Sequence, residues 1–203
     1  TFSINGKCEV VLLHNDILSP PPYMIPIGHS FPIQLPINKI NKIKESISKA
    51  VQCLNIINGP ANVDLILDSN ENAKIIEVGA RIGATCLPEL VFYHTGIDWV
   101  EQSINACLDL PLNLKIKQQQ PVIAYILESD KDGILKDFSI PKFIKNHPNL
   151  KEVEITALKG SEVNKLRKGT DRIGKIIVVG DTLKSANKLC VDLKNKIEIN
   201  VEI

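Results

Sequence analysis

The sequence predicts an α+β chain in which antiparallel sheets alternate with helices, and three observations carry that prediction. Residues Ile197 to Ile203 alternate strictly between apolar and polar, the period of a half-buried strand. Between Asn38 and Leu54, the residues Ile40, Ile43, Ile47, Val51 and Leu54 recur every three or four positions with lysines opposite, the period of an amphipathic helix. The strand-like runs Val63–Leu67 and Lys74–Val78 are joined only by Asp68-Ser-Asn-Glu-Asn72, a connection short enough to demand antiparallel pairing.

The elements follow in order. Lys7 to Leu13 reads as a strand after the turn pair Asn5-Gly6. Ser19-Pro-Pro-Pro22 excludes regular structure and marks a loop. The 38–54 helix has Asn38 as its expected cap and ends before Asn58-Gly-Pro60. After the hairpin, Leu87 to Tyr93 is helical, and Asp98 caps a helix running through Ala106. That aspartate reads as a cap rather than a catalyst. The polar stretch Lys115 to Pro121 interrupts the periodicity and divides the chain into 1–114 and 115–203. Beyond it come a buried-type strand at Val122–Leu127, a turn at Asp130–Gly133 and a short helix within Phe138–Asn146. A strand at Val153–Leu158, a long apolar strand at Arg172–Val179 and an amphipathic helix from Thr182 to Ile197 complete the second part. The basic segment Lys165–Arg172 reads as a solvated loop in preference to a phosphate site.

Composition excludes several classes. A net charge of +1 gives no electrostatic case for binding nucleic acid or an anionic membrane. No apolar run approaches the length of a membrane span, and no charged-then-apolar leader opens the chain. The cysteines Cys8, Cys53, Cys86, Cys107 and Cys190 are scattered without metal-site spacing, as expected of reduced thiols in a cytoplasmic protein. Cys86 reads as a small apolar side chain, not a nucleophile.

The chemistry concentrates on the hairpin. With the loop centred between Asn70 and Glu71, Ile66 pairs with Ile75, and Asp64 falls directly opposite Glu77 on one face. Two such carboxylates repel, at a cost of roughly 3 kcal/mol for about 5 Å and an effective dielectric of about 20. A cation between them removes that cost, and magnesium, which favours oxygen ligands and phosphates, is the natural choice. Acidic residues on an open hairpin face also occur with no ion at all. The segment Glu77-Val-Gly-Ala-Arg-Ile-Gly-Ala-Thr85 then leaves the strand with glycines that admit an anion to the backbone and with Arg81 as a fork of donors. Its plainer alternative is a glycine turn with a surface arginine.

Residues 59–98, GPANVDLILDSNENAKIIEVGARIGATCLPELVFYHTGID, resemble the C-terminal half of an ATP-grasp domain, with its strand acid, hairpin, Glu-x-Gly-x-Arg and closing Thr-Gly-Ile-Asp. Such enzymes join a carboxylic acid to an amine or similar nucleophile through an acyl-phosphate made from ATP. The resemblance implies that Asp64 and Glu77 hold magnesium, or manganese in its place, against ATP. It implies that Arg81 is catalytic, steadying the acyl-phosphate, and that Ile66 and Ile76 pack against adenine. Many members carry Asn two residues after the glutamate as a further metal ligand; here Gly79 stands there. The Glu-x-Gly-x-Arg form is that of the L-amino-acid ligase and carnosine synthase-like branch.

The flanks resemble the same branch. Met24 to Pro32 contains Gly28-His29, which by resemblance lines an amino-acid pocket, as does Gly83; a histidine in a Pro-rich loop is otherwise structural. Residues from about 121 to 203 resemble the small C-terminal domain of these ligases and of biotin carboxylase. The implied partners are a small-molecule carboxylate and amine, with room for a homodimer. The chain opens on Thr1 and shows neither an N-terminal nucleotide fold nor a lysine-bearing lid. The resemblance therefore implies a missing N-terminal ATP-grasp half, and a piece that is inactive by itself. Two other functions share these features: a different ATP-grasp ligation, of the carboxylase or purine-synthesis type, and a non-catalytic nucleotide-binding module.

Overall fold

The computed structural model describes residues 1–70 and 72–203. In chain order the elements are β1 (Phe2–Ile4), β2 (Lys7–Val10), β3 (Asn15–Leu18), β4 (Pro26–Phe31), α1 (Ile37–Cys53), β5 (Gly59–Pro60), β6 (Asn62–Leu67) and β7 (Ala73–Gly79). They continue with α2 (Leu87–Thr95), α3 (Trp99–Cys107), β8 (Val122–Leu127), β9 (Gly133–Ser139), α4 (Lys142–Lys145) and β10 (Leu150–Ile155). The last are β11 (Glu162–Val163), β12 (Gly174–Val179), α5 (Leu183–Lys194) and β13 (Glu198–Glu202). The fold is mixed α+β, and every strand pair within its sheets is antiparallel. Two compact units divide the chain: Thr1–His14 with Ile33–Gln119, and Asn15–Pro32 with Gln120–Ile203.

The first unit contains the sheet β2-β1-β5 and the two-stranded hairpin β6-β7. Ile43, Ile47 and Val51 of α1 are buried with Ala61, and Val63, Leu65, Ala73 and Val78 pack against them. One face of the hairpin is thus committed to the helix, which fixes what the other face presents. The expected Asn38 cap is not there. Pro36 is the N-cap, and its carbonyl accepts from the amides of Lys39 and Ile40 at 2.9 and 3.0 Å. Pro36 itself sits in an extended conformation, so the helix is already under way at Asn38. Asp98 does cap α3, accepting from the Glu101 amide at 2.9 Å, and Trp99 meets Phe2 edge-on at 5.3 Å.

The second unit is built on a five-stranded sheet, β10-β12-β8-β4-β3, with a three-stranded sheet β11-β9-β13. Its core gathers Ile123, Leu127, Leu135, Ile176, Val178 and Cys190. Thr182 and Ser185 cap α5 reciprocally, side chain to amide, at 3.1 Å each way. The helix expected within 138–146 shrinks to Lys142–Lys145, because Phe138 belongs to β9 and pairs with Ile199 of β13. Within residues 24–32 a strand likewise replaces the expected loop. Pro26–Phe31 form β4, between β3 and β8, and a Cβ on Gly28 would lie 2.3 Å from the Ala124 carbonyl oxygen, so the close approach of β4 to β8 requires glycine. Among the described residues, no helix is long and apolar enough to cross a membrane.

Candidate functional site

The hairpin places the two carboxylates as its sequence implies, and then departs from the expected register. Asp64 pairs with Glu77. Immediately beyond, the ladder slips by one residue, so that Leu65 pairs with Ile75 and Ile66 with Lys74 in place of Ile75. Ile76 is the extra residue of this bulge and has no partner across the strand. The burial pattern shows the effect: Ile75 and Val78 are half-buried, whereas the consecutive Ile76 and Glu77 are both exposed. Regular alternation would have turned one of them inward. The exposed face therefore carries Asp64, Ile66, Ile76 and Glu77 together. Ile66 is 56% exposed and Ile76 65%, a pair of large apolar side chains left open beside two acids.

The hairpin end is locked by Asp68, whose carboxylate accepts from the amides of Asn72 at 2.8 Å and Asn70 at 2.9 Å. These donors, Asn72 foremost, hold its carboxyl below the usual range. Lys74 leans to Asp68, with its Nζ 3.5 Å away. Glu71, on which the expected loop centre falls, lies outside the described residues.

Past Glu77 the chain turns tightly, the Arg81 amide donating to the Gly79 carbonyl at 2.8 Å. Gly79 pairs with Asn62, two residues from each carboxylate, and so shares their face. A Cβ built there would lie 3.6 Å from Arg81 Cγ and Nε. The arginine side chain thus lies across Gly79 on the carboxylate side, and its Nη1 donates to the Ile82 carbonyl at 2.9 Å. At Gly83 a Cβ would fall 2.5 Å from Leu87 Cδ1 and 2.9 Å from Asn62 Oδ1, so the close packing there favours glycine.

Two hard oxygen donors side by side suit a divalent cation such as magnesium, and the donor set fits that ion. His29 is elsewhere. It sits in β4 of the second unit, buried, with Nδ1 donating to Asp16 Oδ1 at 2.6 Å directly across the β3–β4 ladder. Sequence reasoning missed Asp16 because nothing local announces that pairing. It also missed Asn62, whose Nδ2 donates to Asp64 Oδ1 at 2.9 Å. The two-residue strand period could have found Asn62.

Residues 125–202 match the family model described as L-amino acid ligase C-terminal domain 2. The whole fold superposes on phosphoribosylglycinamide synthetase from Anaerococcus prevotii with a TM-score of 0.89 and 29% identity, covering 99% of this chain and 52% of that one. This is the fold of an ATP-grasp C-terminal half. L-amino acid ligase from Bacillus licheniformis shares it at a TM-score of 0.85 and 22% identity, over 100% of this chain and 50% of its own. So does the biotin carboxylase domain of 2-oxoglutarate carboxylase from Hydrogenobacter thermophilus, solved with magnesium ADP and bicarbonate, at 0.69 and 18% over 87% of this chain and 39% of its own. These relatives are ATP-grasp ligases, and the chain spans about half of their length or less.

Proposed function

We propose that the chain is the metal-and-acyl side of an ATP-dependent carboxylate–amine ligase that forms an amide bond through an acyl-phosphate. The pairing of Asp64 with Glu77 on an exposed face that also carries Ile66, Ile76 and Arg81 is the observation that supports it. Asp64 and Glu77 would hold magnesium, which when bound supplies charge neutralisation on the ATP phosphates. Ile66 and Ile76 offer an apolar platform for adenine. Arg81 binds and orients the substrate carboxylate, whose oxygen attacks the γ-phosphorus while ADP departs. The same guanidinium stabilises the charge developing on the transferred group. An amine nitrogen then attacks the acyl carbon, and phosphate leaves. Positioning and charge stabilisation suffice for such a transfer, so no nucleophilic serine or cysteine is needed.

Turnover in this reading needs the further segments that the solved relatives possess, and the cysteines, none of them disulfide-bonded among the described residues, suit a reducing compartment such as the cytoplasm. The test is ATP- and carboxylate-dependent phosphate release by the complete gene product, with a panel of amino acids as acid and amine. Glu77→Gln and Arg81→Ala are each expected to lower turnover by roughly 100-fold or more, as loss of a preorganised charge-stabilising group does. Near-normal turnover in both variants refutes the assigned roles.

A further inference from the structure

Asn62 is the next residue along the carboxylates' face, two rungs from them and directly across from Gly79. Gly79 has no side chain, so Asn62 supplies the polar group of that rung. Its amide has two ends, and the nitrogen is engaged. Nδ2 donates to Asp64 Oδ1 at 2.9 Å, and because a carboxylate only accepts, the amide oxygen must point the other way. It points to the glycine-rich segment, where Oδ1 lies 2.9 Å from the Cβ position of Gly83. Any side chain at 83 would strike that oxygen and Leu87. Asn62 is half-buried and Asp64 exposed, so the better-packed residue holds the freer one.

From this geometry we infer that Asn62 is the positioning residue of the metal-phosphate site: seated against Gly83, it fixes one oxygen of Asp64 and turns the other toward the cation. The inference rests on the reading of the hairpin given under the proposed function. Without the Nδ2 donor, the Asp64 side chain would rotate freely, and a metal would have to order it on binding. Outer-shell hydrogen bonds of this kind typically set metal affinity by ten- to a hundredfold.

The test is a titration of the complete gene product with Mn2+ in the presence of ADP, following free Mn2+ by its EPR signal. Asn62→Ala removes the amide, and Asn62→Leu keeps its branched shape without the donor. Both are expected to raise the Mn2+ half-saturation by roughly ten- to a hundredfold while leaving the melting temperature within a few degrees of wild type. Glu77→Gln serves as the reference and is expected to abolish saturable binding. If Glu77→Gln abolishes binding but both Asn62 variants stay within about twofold of wild type, the positioning role is overturned and the metal site stands. If the wild type shows no saturable binding, or Glu77→Gln leaves it unchanged, the reading of the hairpin fails and the role of Asn62 fails with it.

Discussion

Asp64 and Glu77 face one another across the ladder, and the strand slips by one residue directly behind them. The slip lets Ile76 and Glu77 both emerge on the exposed face. A continuous ladder through this point would keep Ile76 inward, against the α1 side, and put Ile75 opposite Ile66 beside the acids. The bulge therefore brings Ile76, in place of Ile75, to the exposed surface beside the acids. Bulges re-aim side chains in this way at functional sites.

Substituting Ile76 should separate binding from stability. The side chain is 65% exposed, so Ile76→Ser leaves little to lose in the folded chain. If adenine covers it in the complex, the lost burial weakens nucleotide binding by roughly tenfold, corresponding to about 1.4 kcal/mol of apolar contact. Isothermal titration with ADP against a thermal melt checks both halves. Unchanged affinity would remove Ile76 from the nucleotide surface.

Gly83 and Gly79 should answer differently to alanine. At Gly83 the new methyl would sit 2.5 Å from Leu87 Cδ1 and 2.9 Å from Asn62 Oδ1, so α2 or the Asn62 amide must shift. Gly83→Ala is expected to cost about 1–3 kcal/mol, as overpacking does. At Gly79 the methyl meets Arg81 at 3.6 Å, an ordinary contact, and Gly79→Ala should be near neutral. Urea unfolding of the two variants decides the matter. Equal costs would show that the loop relaxes around Gly83.

The carboxylate pairing was legible because local facts determine it. A short Asp/Asn-rich connection sets the register, and a two-residue period sets the face. The bulge was not legible, since one unpaired residue leaves no mark on composition. Asp98 could be read as a cap because its partner, the Glu101 amide, is three residues away. Asp16 and His29 could not be read as a pair, because the segment joining β3 to β4 carries Ser19-Pro-Pro-Pro22 and reads as a loop without a short turn to set the register. Phe138 was misread for another reason: β9 gains its strand character from β13 at the far end of the chain.

Acid should loosen the segment that follows β11. Asp132 takes the Arg167 guanidinium end-on, with both oxygens 2.8 Å from their donors, and also accepts from the Lys165 amide at 2.9 Å. The Arg167 hydrogen bonds foremost bring its carboxyl from the ordinary 3.8 to about 2. The unfolded chain therefore takes up the proton first. The contribution to stability is present above about pH 4 and is lost as the pH falls toward 2. Following the Asp132 carboxyl carbon by NMR, Arg167→Ala should return its titration toward 3.8. High salt should do part of the same, because the pair is exposed. A midpoint that stays low in Arg167→Ala would assign the shift to the Lys165 amide instead.

Alkali should act through the core of the second unit. Cys190 lies on α5, buried among Ile123, Ile176 and Leu193, and burial pushes its thiol from 9.0 up to about 12. Between those values the unfolded chain releases the proton while the folded chain keeps it, so stability falls as pH rises through that window. The same burial bears on reactivity. Because the thiolate is the nucleophile, an aromatic disulfide reagent at pH 8 should label the exposed Cys53 and Cys107 promptly. Cys190 should react only on unfolding. Cys190→Ala leaves a small cavity, costing about 1 kcal/mol, but should flatten the decline in stability between pH 9 and 12. Prompt labelling of Cys190 in the native chain, or an alkaline decline unchanged in Cys190→Ala, would show that α5 opens well before the rest of its unit.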